Sequence, residues 1–448
     1  MFAAFLVTNL HAQSGAGWTP LFDGKTLNGW RRLAGTASFQ VQNGEIVGTT
    51  VNNSGNTFLA TDKEFRDFIL EMDVQIDDTS SNSGIQVRSH YDPAGHEGKG
   101  LVYGKQFEID PSSRRWSGGV YDEGRRDWLY PVSYNPKGQG AFRVGVYNHI
   151  RMEVIGNEMK TWINNVPVAY VVDTLDKTGF IALQVHAVKD ARFAGEKVHF
   201  KNIRIRTANL RPTNFPPGMY VVSNLSNKLS EYEKRDGWKL LFDGKTSKGW
   251  VGAGSTAFPT KGWSISEGCL NIASSGEKEA STGGDIITTA TYGAFDLSFD
   301  FKMSTGANSG VKYFVTVQDN KPGSALGLEF QILDDKVHPD AKLGRDGDRT
   351  LASLYDLFPA TKQERFVHPI GQWNTGRIVV YPNNHVEHYL NGVRVLQYER
   401  GSREFREAVA LSKFKNIKDF GEVSAGFILL QDHGHAVSFK NIKIKPLK

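Results

Sequence analysis

The residues best suited to chemistry form two similar sets, one in each half of the chain. Each set joins an acid and an amide two positions apart with a later histidine: Gln106, Glu108, Asp110 and His186, then Glu329, Gln331 and His433. Alternate residues of a strand point to the same face, so each acid and its amide would share one site. A histidine titrates near neutral pH and can act as an acid or as a base. The alternative is that both histidines are structural, although each ends a Leu-Gln-x-His sequence.

A polar and aromatic segment at 114–128 offers a second kind of site. Trp and Tyr rings can stack on the C–H surfaces of sugars, while Arg and acidic side chains hydrogen-bond to hydroxyls. We therefore predict a sugar-binding wall, with a solvated loop of buried aromatics as the alternative. Its members would be Trp116, Tyr121, Asp122, Glu123, Arg125 and Trp128.

Acidic residues of the second half raise the question of a metal. Asp334 would join the face of the acid and amide only if a β-bulge preceded it. Together with Asp340 and Asp348 it could hold Ca²⁺, but the spacing does not match an EF-hand loop, and solvated acids are the simpler interpretation. His385 and His388 resemble a metal pair, yet residues three apart on a strand face opposite ways. We assign no metal ligand and expect no certain cofactor, with a divalent cation such as Ca²⁺ as an open option.

These sets belong to two copies of one domain. The segment from Trp18 to Trp30 recurs from Trp238 to Trp250, Asn-Ser-Gly occurs at 82 and 308, and Phe-Lys-Asn-Ile occurs at 200 and 439. The landmarks keep their order while their spacing grows, so the second copy is the longer one. We predict a signal-peptide remnant at 1–14, a first domain at 15–208, a linker at 209–236 and a second domain at 237–448.

The elements that must position these residues are strands. Segments 68–76, 150–155 and 295–301 alternate in part at period two, and Asn-Gly and Gly-Asn pairs favour hairpins between such segments. Helical periodicity is scarce, and we expect little more than a short turn at 402–408. The pattern predicts an all-β chain of two tandem jelly-roll β-sandwich domains.

Composition excludes several classes of protein. The formal charge of +5 comes without a basic block, so nucleic acid is not an expected partner. The single cysteine, Cys269, cannot form an internal disulfide, and no apolar run is long enough for a transmembrane segment. Residues 1–7 are apolar and resemble the end of a secretory signal, with a frayed tail as the alternative. We expect an exported protein of the bacterial periplasm or cell surface.

The repeated motifs resemble one bacterial family, the 3-keto-disaccharide hydrolase domain, formerly a domain of unknown function. The shared motifs include Leu-Phe-Asp-Gly-Lys-Thr, Asn-Ser-Gly-Ile, Glu-Phe-Gln-Ile-Leu-Asp at 329–334, Leu-Tyr-Asp-Leu at 354–357 and Leu-Gln-Asp-His-Gly at 430–434. The resemblance covers both copies. It implies a concanavalin A-like (lectin/glucanase) sandwich that cleaves glycosides whose sugar was first oxidised at C3. The first copy departs from the commoner pattern, because its acid and amide are exchanged.

A ketone at C3 acidifies the C2 proton, so a base can remove it, the enolate can expel the C1 substituent, and water can then add. Such a site needs a base, donors at the enolate oxygen and an acid for the leaving oxygen. The resemblance implies that the histidines are base or acid, the glutamates their partners and an arginine the enolate donor. These candidates are His186, His433, Glu108, Glu329 and Arg88.

An amide-rich group would bind the sugar. Its expected members are Asn82, Gln106, Asp110, Gln184, Asn308, Gln331, Asp334, Tyr355 and Gln431, besides the wall at 114–128. The second copy has Lys312 and Tyr313 near the position of Arg88, which puts equivalent activity of the two copies in doubt.

Other functions stay open. Lectins share the implied fold, so one or both copies could bind glycan without cleaving it, and one catalytic plus one binding copy is compatible with the acid–amide exchange. An ordinary retaining glycosidase would need two carboxylates about 5–5.5 Å apart. We expect a glycoside-cleaving hydrolase or lyase acting on 3-keto sugars, with a carbohydrate-binding protein as the alternative.

Overall fold

The computed structural model describes residues 17–275, 283–317 and 325–448. The predicted signal-peptide remnant at 1–14 lies outside these residues. The chain divides into two compact units, one ending at Asn224 and one starting at Leu225. Within the described ranges, no helix has the length and apolar character needed to cross a membrane.

The first unit is a two-sheet sandwich. Its strands are β1 (Thr19–Pro20), β2 (Trp30–Ala34), β3 (Ser38–Gln42), β4 (Glu45–Thr49), β5 (Thr57–Phe65), β6 (Phe68–Ile76), β7 (Ser83–Asp92), β8 (Leu101–Ile109), β9 (Val120–Glu123), β10 (Asp127–Tyr130), β11 (Asn148–Ile155), β12 (Glu158–Ile163), β13 (Val166–Val172), β14 (Gly179–Val185), β15 (Lys197–Arg206) and β16 (Val222–Ser223). One sheet runs β16-β13-β12-β11-β6-β15-β4-β3 with β1 on β15, and the other runs β10-β9-β8-β7-β14-β5-β2. Helical turns occur at α1 (Gly95–Gly98), Val132–Tyr134, Gly138–Gly140 and Ala191–Phe193.

The second unit repeats this plan. Its strands are β17 (Lys239–Leu240), β18 (Trp250–Gly252), β19 (Trp263–Ser266), β20 (Cys269–Ile272), β21 (Ile286–Thr288), β22 (Phe295–Met303), β23 (Asn308–Val317), β24 (Ala325–Leu333), β25 (Asn374–Val380), β26 (His385–Leu390), β27 (Val393–Glu399), β28 (Phe427–Leu430) and β29 (Val437–Pro446). The larger sheet runs β19-β20-β29-β22-β25-β26-β27 with β17 on β29, and the smaller one runs β18-β21-β28-β23-β24. Its helices are α2 (Glu231–Arg235), α3 (Arg403–Leu411), Pro339–Lys342 and Glu364–Phe366. The all-β, two-domain jelly-roll prediction is confirmed.

Alternation along the strands separates the core from the polar face. In β24, Leu328, Phe330 and Ile332 are fully buried in the hydrophobic core. Glu329 and Gln331 therefore lie on the opposite face of the smaller sheet. β8 of the first unit follows the same pattern.

The repeated Leu-Phe-Asp-Gly-Lys-Thr motif is a structural turn. Asp23 Oδ1 accepts hydrogen bonds from the backbone N–H groups of Lys25 and Thr26, both at 2.7 Å. Trp30 donates from its indole N–H to the carbonyl oxygen of Leu21 at 2.8 Å. The second unit repeats all three bonds. The motif therefore stabilises a turn of each sandwich and does not contribute to the candidate catalytic residues.

The segment 209–236, assigned to a linker from the sequence, contributes to both units. In the first unit Phe215 packs edge-on against Trp162 and Tyr170, and β16 pairs with β13. In the second unit Glu233 of α2 forms an ion pair with Lys443 at 2.5 Å. Each part of the segment is thus held by its own unit.

Candidate active site

The first unit builds a network of amides around one carboxyl group. Gln86 of β7 lies opposite Gln106 of β8 and donates to its Oε1 at 2.7 Å. Gln106 donates to Glu108 Oε2 at 2.7 Å, and Asn82 donates to Glu108 Oε1 at 2.8 Å. Burial outweighs these bonds and raises the pKa of Glu108 to about 7. Glu108 therefore titrates near neutral pH between two uncharged neighbours.

A groove of about 1080 Å³ in the first unit is lined by Glu123 and His186. Asn56 donates to Glu123 Oε1 at 3.1 Å and accepts from the backbone N–H of Ala187 at 2.8 Å. Burial raises the pKa of Glu123 to about 7 and lowers that of His186. His186 Nδ1 lies 2.8 Å from the carbonyl oxygen of Ala187, so Nδ1 carries the proton and Nε2 can accept one.

The second unit exchanges the acid and the amide and adds a cation. Lys312 of β23 lies opposite Glu329 of β24, with its Nζ 3.8 Å from Glu329 Oε2. Gln331 takes the position of Glu108 and, with its amide nitrogen turned toward the available acceptors, donates to Glu329 Oε1 at 3.1 Å. Burial raises the pKa of Glu329, although the charge of Lys312 opposes the shift.

Two more charged groups act on Glu329. Asp285, just before β21, interacts electrostatically with Glu329 and Lys312, and burial raises its own pKa. Lys413 also interacts with Glu329, and its Nζ lies 4.3 Å from the centre of the Tyr355 ring. The second unit thus gathers two carboxyl groups and two lysine amines where the first unit has mainly amides.

Each Asn-Ser-Gly motif ties its strand to the strand that precedes the late histidine. Ser83 Oγ donates to the carbonyl oxygen of Gln184 at 2.7 Å, and Ser309 Oγ donates to that of Gln431 at 2.7 Å. Each glutamine stands two residues before the late histidine. The motif therefore positions both histidines in the same way.

His433 reaches the polar set through the asparagine of that motif. Its Nε2 lies 3.4 Å from Asn308 Nδ2, and its ring centre lies 6.3 Å from that of His338 and 6.1 Å from that of His435. His433 also interacts electrostatically with Glu329. The second unit therefore places an imidazole beside the buried carboxyl group.

The sequence profile of the 3-keto-alpha-glucoside-1,2-lyase-like domain matches residues 17–206 and again residues 237–445. The chain belongs to this family. Its two family domains carry the two polar sets, and the resemblance drawn from the repeated motifs is confirmed.

Individual relatives agree with the family. The chain is 39% identical over 233 residues to a 3-keto-disaccharide hydrolase of Bacteroides thetaiotaomicron, covering 47% of this chain and 79% of the relative. It is 30% identical to a crystal structure from Parabacteroides distasonis, provisionally assigned as a glycosyl hydrolase, with 50% of this chain and 100% of that chain covered and a TM-score of 0.44. It also resembles the carbohydrate-binding module CBM66 of Bacillus subtilis, at 17% identity over 40% of this chain and 95% of that chain, with a TM-score of 0.25. The family and the Bacteroides relative support a glycoside-cleaving enzyme.

The first family domain does not use Arg88 as an enolate donor. Arg88 is 3% exposed, donates to the carbonyl oxygen of Gly156 at 2.8 Å and pairs with Asp67 at 2.7 Å. A bulge between Val87 and His90 gives Arg88 a φ of 48° and breaks the alternation of β7. The prediction was wrong because a bulge redirects the side chain away from the polar face.

Asp122 and Arg125 form an internal ion-pair network instead of a sugar-binding wall. Asp122 is fully buried and pairs with Arg125 at 2.7 Å, and Arg125 Nη1 donates to Asp176 at 3.0 Å. Buried groups that satisfy one another have little capacity left for sugar hydroxyls. The prediction for the fully buried Asp122 was wrong, whereas the role of the partly exposed Arg125 stays a proposal and Glu123 of the same segment lines the groove.

The aromatic side chains of the segment pack on one another. Trp116 is 4% exposed and meets Trp128 edge-on at 4.8 Å, which corrects its assignment as a sugar-stacking residue. Tyr121 meets Trp128 at 5.4 Å and donates to Asp127 at 2.8 Å. Tyr121 and Trp128 are partly exposed, so their predicted role in sugar binding stays a proposal.

Asp334 does not share the face of Glu329. β24 ends at Leu333, and Asp334 Oδ2 accepts from the backbone N–H of Gly306 at 2.9 Å. The bulge that the prediction required is absent between Asn308 and Tyr313, where β23 and β24 stay in register. Asp334 is therefore a turn residue.

Asp110 also follows the end of its strand. It pairs with Arg114 at 2.8 Å and lines a separate cavity of about 620 Å³ in the first unit. Its charge also acts on His186. Its role as a sugar ligand stays a prediction.

The described residues include no group of three or more His, Cys, Asp or Glu side chains arranged to hold a metal ion. Arg349 pairs with Asp340 and with Asp356, each at 2.8 Å. His385 is partly exposed and His388 is fully buried, so the two face opposite ways as expected. The acidic segment of the second domain is thus held by arginine.

Sequence reasoning missed Asn56, Asp285 and Lys413. Asn56 and Asp285 stand in loops before their strands, and nothing in their local sequence marks them. Lys413 lies between β27 and β28, in a part of the second copy with no counterpart in the first. The greater length of the second copy was the one available signal.

Proposed function

We propose that this chain cleaves the glycosidic bond of 3-keto-glycosides and that its second family domain performs the chemistry. Family membership and the named activity of the Bacteroides relative support the substrate class. The observation that carries the proposal is the buried carboxyl group of Glu329, 3.8 Å from Lys312 and within electrostatic reach of His433. Elimination beside a ketone requires a base, a cation and an acid, and these three residues supply them.

The roles follow from the chemistry of each group. Glu329 removes the proton from C2, since burial raises its pKa and makes it a stronger base. The ammonium group of Lys312 stabilises the negative charge that develops on O3. His433 gives a proton to the glycosidic oxygen as the C1–O bond breaks. Water then adds to C1 of the enone, and C2 regains a proton.

The first domain favours a second function, which is binding of an uncharged sugar. Its polar face holds amides of Asn82, Gln86 and Gln106 beside Glu108. Phe58 occupies the strand position that Asp285 has in the second domain. Amides and a protonated carboxyl group can donate to and accept from sugar hydroxyls without a net charge.

The test compares glucose release from 3-keto-trehalose and from trehalose by the full chain. We expect release from the keto-sugar only, with large losses in Glu329→Gln and His433→Ala. His186→Ala is the matched variant in the first domain and should retain cleavage. Loss in His186→Ala alone would assign the chemistry to the first domain. No release from a panel of keto-glycosides would leave carbohydrate binding as the function.

We also propose export to the bacterial periplasm or cell surface, which the apolar start of the sequence supports. Fractionation of cells that express the full chain would test this location.

A further inference from the structure

The second domain has an insertion that delivers a lysine to the polar face. Residues 400–426 connect β27 to β28 and contain α3, whereas the equivalent connection from β13 to β14 in the first domain is only 173–178. Lys413 stands two residues after the end of α3, next to the C-cap residue Ser412. The insertion therefore gives the second domain a residue that the first domain has no means to supply.

The insertion is held firmly against the second domain. The hydroxyl of Ser402 caps α3 by accepting from the backbone N–H of Phe405 at 3.1 Å, and Phe405 is fully buried. The rings of Phe414 and Phe420 stack at 4.0 Å. These contacts fix the backbone on both sides of Lys413.

Lys413 is also tied to the segment that bears Tyr355. Its backbone N–H donates to Asp356 Oδ2 at 2.7 Å. Arg345 Nη2 donates to the carbonyl oxygens of Asp356 at 3.1 Å and Ala408 at 3.5 Å, which joins this segment to α3. The position of the amine over the Tyr355 ring is therefore built into the fold.

The surroundings of the Lys413 amine suit a nucleophile. Burial of the amine and the nearby charges of Lys312 and Arg349 lower its pKa, against the attraction of Glu329. The residue as a whole is exposed, so a ligand can reach it. A lysine beside another cation is a known way to obtain a neutral amine that attacks carbonyl groups.

We infer that Lys413 is a catalytic residue that forms an imine with the C3 ketone of the substrate, using the amine held over the ring of Tyr355, whose backbone N–H donates to the carbonyl oxygen of Glu329 at 3.0 Å. This inference rests on the proposed function of the second domain. A protonated imine withdraws electrons from C2 more strongly than a ketone does. It therefore gives the elimination a stable enamine in place of an enolate.

The steps balance in atoms and electrons. The neutral amine adds to C3, and loss of one water with uptake of one proton from the solvent gives the protonated imine. That proton is released again when hydrolysis restores the neutral amine. Glu329 takes the C2 proton, the resulting enamine expels the glycosidic oxygen, and His433 protonates that oxygen. Water adds to C1 while C2 regains a proton, and a second water hydrolyses the imine to release the keto-sugar and restore Lys413.

Lys312 is less suited to this covalent role. Its side chain is 13% exposed and is held in an ion pair with Glu329 at 3.8 Å. In the imine route no enolate oxygen forms, so the role of Lys312 changes: it holds Glu329 in place, and its charge disfavours protonation of the Lys413 amine. The first domain has Gln86 in the position of Lys312 and no insertion, so it lacks both amines.

The test incubates the full chain with 3-keto-trehalose and sodium cyanoborohydride, which reduces imines, and maps the labelled peptides by mass spectrometry. We expect one dominant adduct on Lys413, with the mass of the keto-sugar less one oxygen atom. Unoxidised trehalose should give none. Lys413→Arg keeps a long basic side chain but forms no imine, and should lose cleavage by roughly 100-fold. Lys336→Arg, at an exposed surface lysine, is the control for non-specific labelling.

The outcomes separate this inference from the proposed function. Glucose release without an adduct on Lys413, and with cleavage retained in Lys413→Arg, would overturn the imine and leave the cleavage activity standing. An adduct on Lys413 without glucose release would support the imine and reject cleavage. Equal labelling of Lys336 and Lys413 would also overturn the inference, because it would mark the reaction as non-specific.

Discussion

The polar faces of the two family domains share a scaffold and differ in charge. Both have the serine that bonds the strand before the late histidine. The first face then surrounds Glu108 with amides, while the second brings Lys312 to Glu329. After the duplication, the strand geometry was therefore kept, while a few substitutions changed the charge and the chemical groups of the polar face. A face of amides around one carboxyl group suits binding of a neutral sugar, and a face that pairs a carboxyl group with a cation suits proton transfer.

The largest expected effect on cleavage distinguishes the carboxyl group of Glu329 from that of Glu108. Glu329→Gln should lower keto-glycoside cleavage by about 1000-fold, because it removes the base from the second domain. Glu108→Gln should act mainly on sugar binding by the first domain. Steady-state cleavage and calorimetric sugar binding should be measured on both variants. A larger loss of cleavage in Glu108→Gln than in Glu329→Gln would contradict the assignment of the chemistry to the second domain.

The second comparison concerns the β-bulges of β7 and β23, which hold different residue types in the two domains. Arg88 and Phe314 occupy equivalent bulges, with φ of 48° and 53°. Arg88→Ala should lower the free energy of unfolding of the first domain by about 4 kcal/mol, because it leaves Asp67 and several carbonyl oxygens without their donor. Chemical denaturation of the full chain measures this. If the variant were fully stable but lost cleavage, Arg88 would be a catalytic residue after all.

Two glutamates of the first domain should contribute to the pH dependence of stability. The pKa values of Glu108 and Glu123 are raised to about 7, so the folded state binds protons that the unfolded state has released. Stability is therefore present at low pH and falls as pH rises from about 4.5 to 7, by up to about 3 kcal/mol for each group. Urea denaturation across this range should show the decline. Glu108→Gln should flatten it, and an unchanged profile would contradict the assignment.

The smallest expected effect on cleavage comes from substitution of Lys312, the cation of the second face. Lys312→Gln places in the second face the residue type that Gln86 has in the first. It should lower cleavage by roughly 30-fold, since a stabilising charge is lost while Glu329 remains. Lys312→Arg should restore part of the activity, because it returns the charge. Equal cleavage by wild type and Lys312→Gln would show that charge is not what distinguishes the domains.

Much of the fold could be predicted from local patterns. Strand alternation, turn pairs such as Asn43-Gly44 with φ of 51° and 81°, and the repeated motifs are short-range signals, and they predicted two β-sandwich domains. α3 was anticipated as a turn at 402–408 and extends to Leu411. The candidate site was predicted in part, since Glu329 and Gln331 share a face by alternation alone. Arg88 was misplaced, because a single extra residue in a bulge reverses the direction of a side chain.

The family, the duplication, the sandwich fold and the identity of the acid, amide and histidine of each set can be read from the amino-acid sequence. These depend on residue types and on periods of two, which are visible along the chain. Which charges meet depends on the folded chain. Asp285, Lys312, Glu329 and Lys413 come from four separate segments, and their distances depend on how strands pair and how an insertion packs. Electrostatic effects fall with distance and grow with burial, so the character of each face was set by the folded chain.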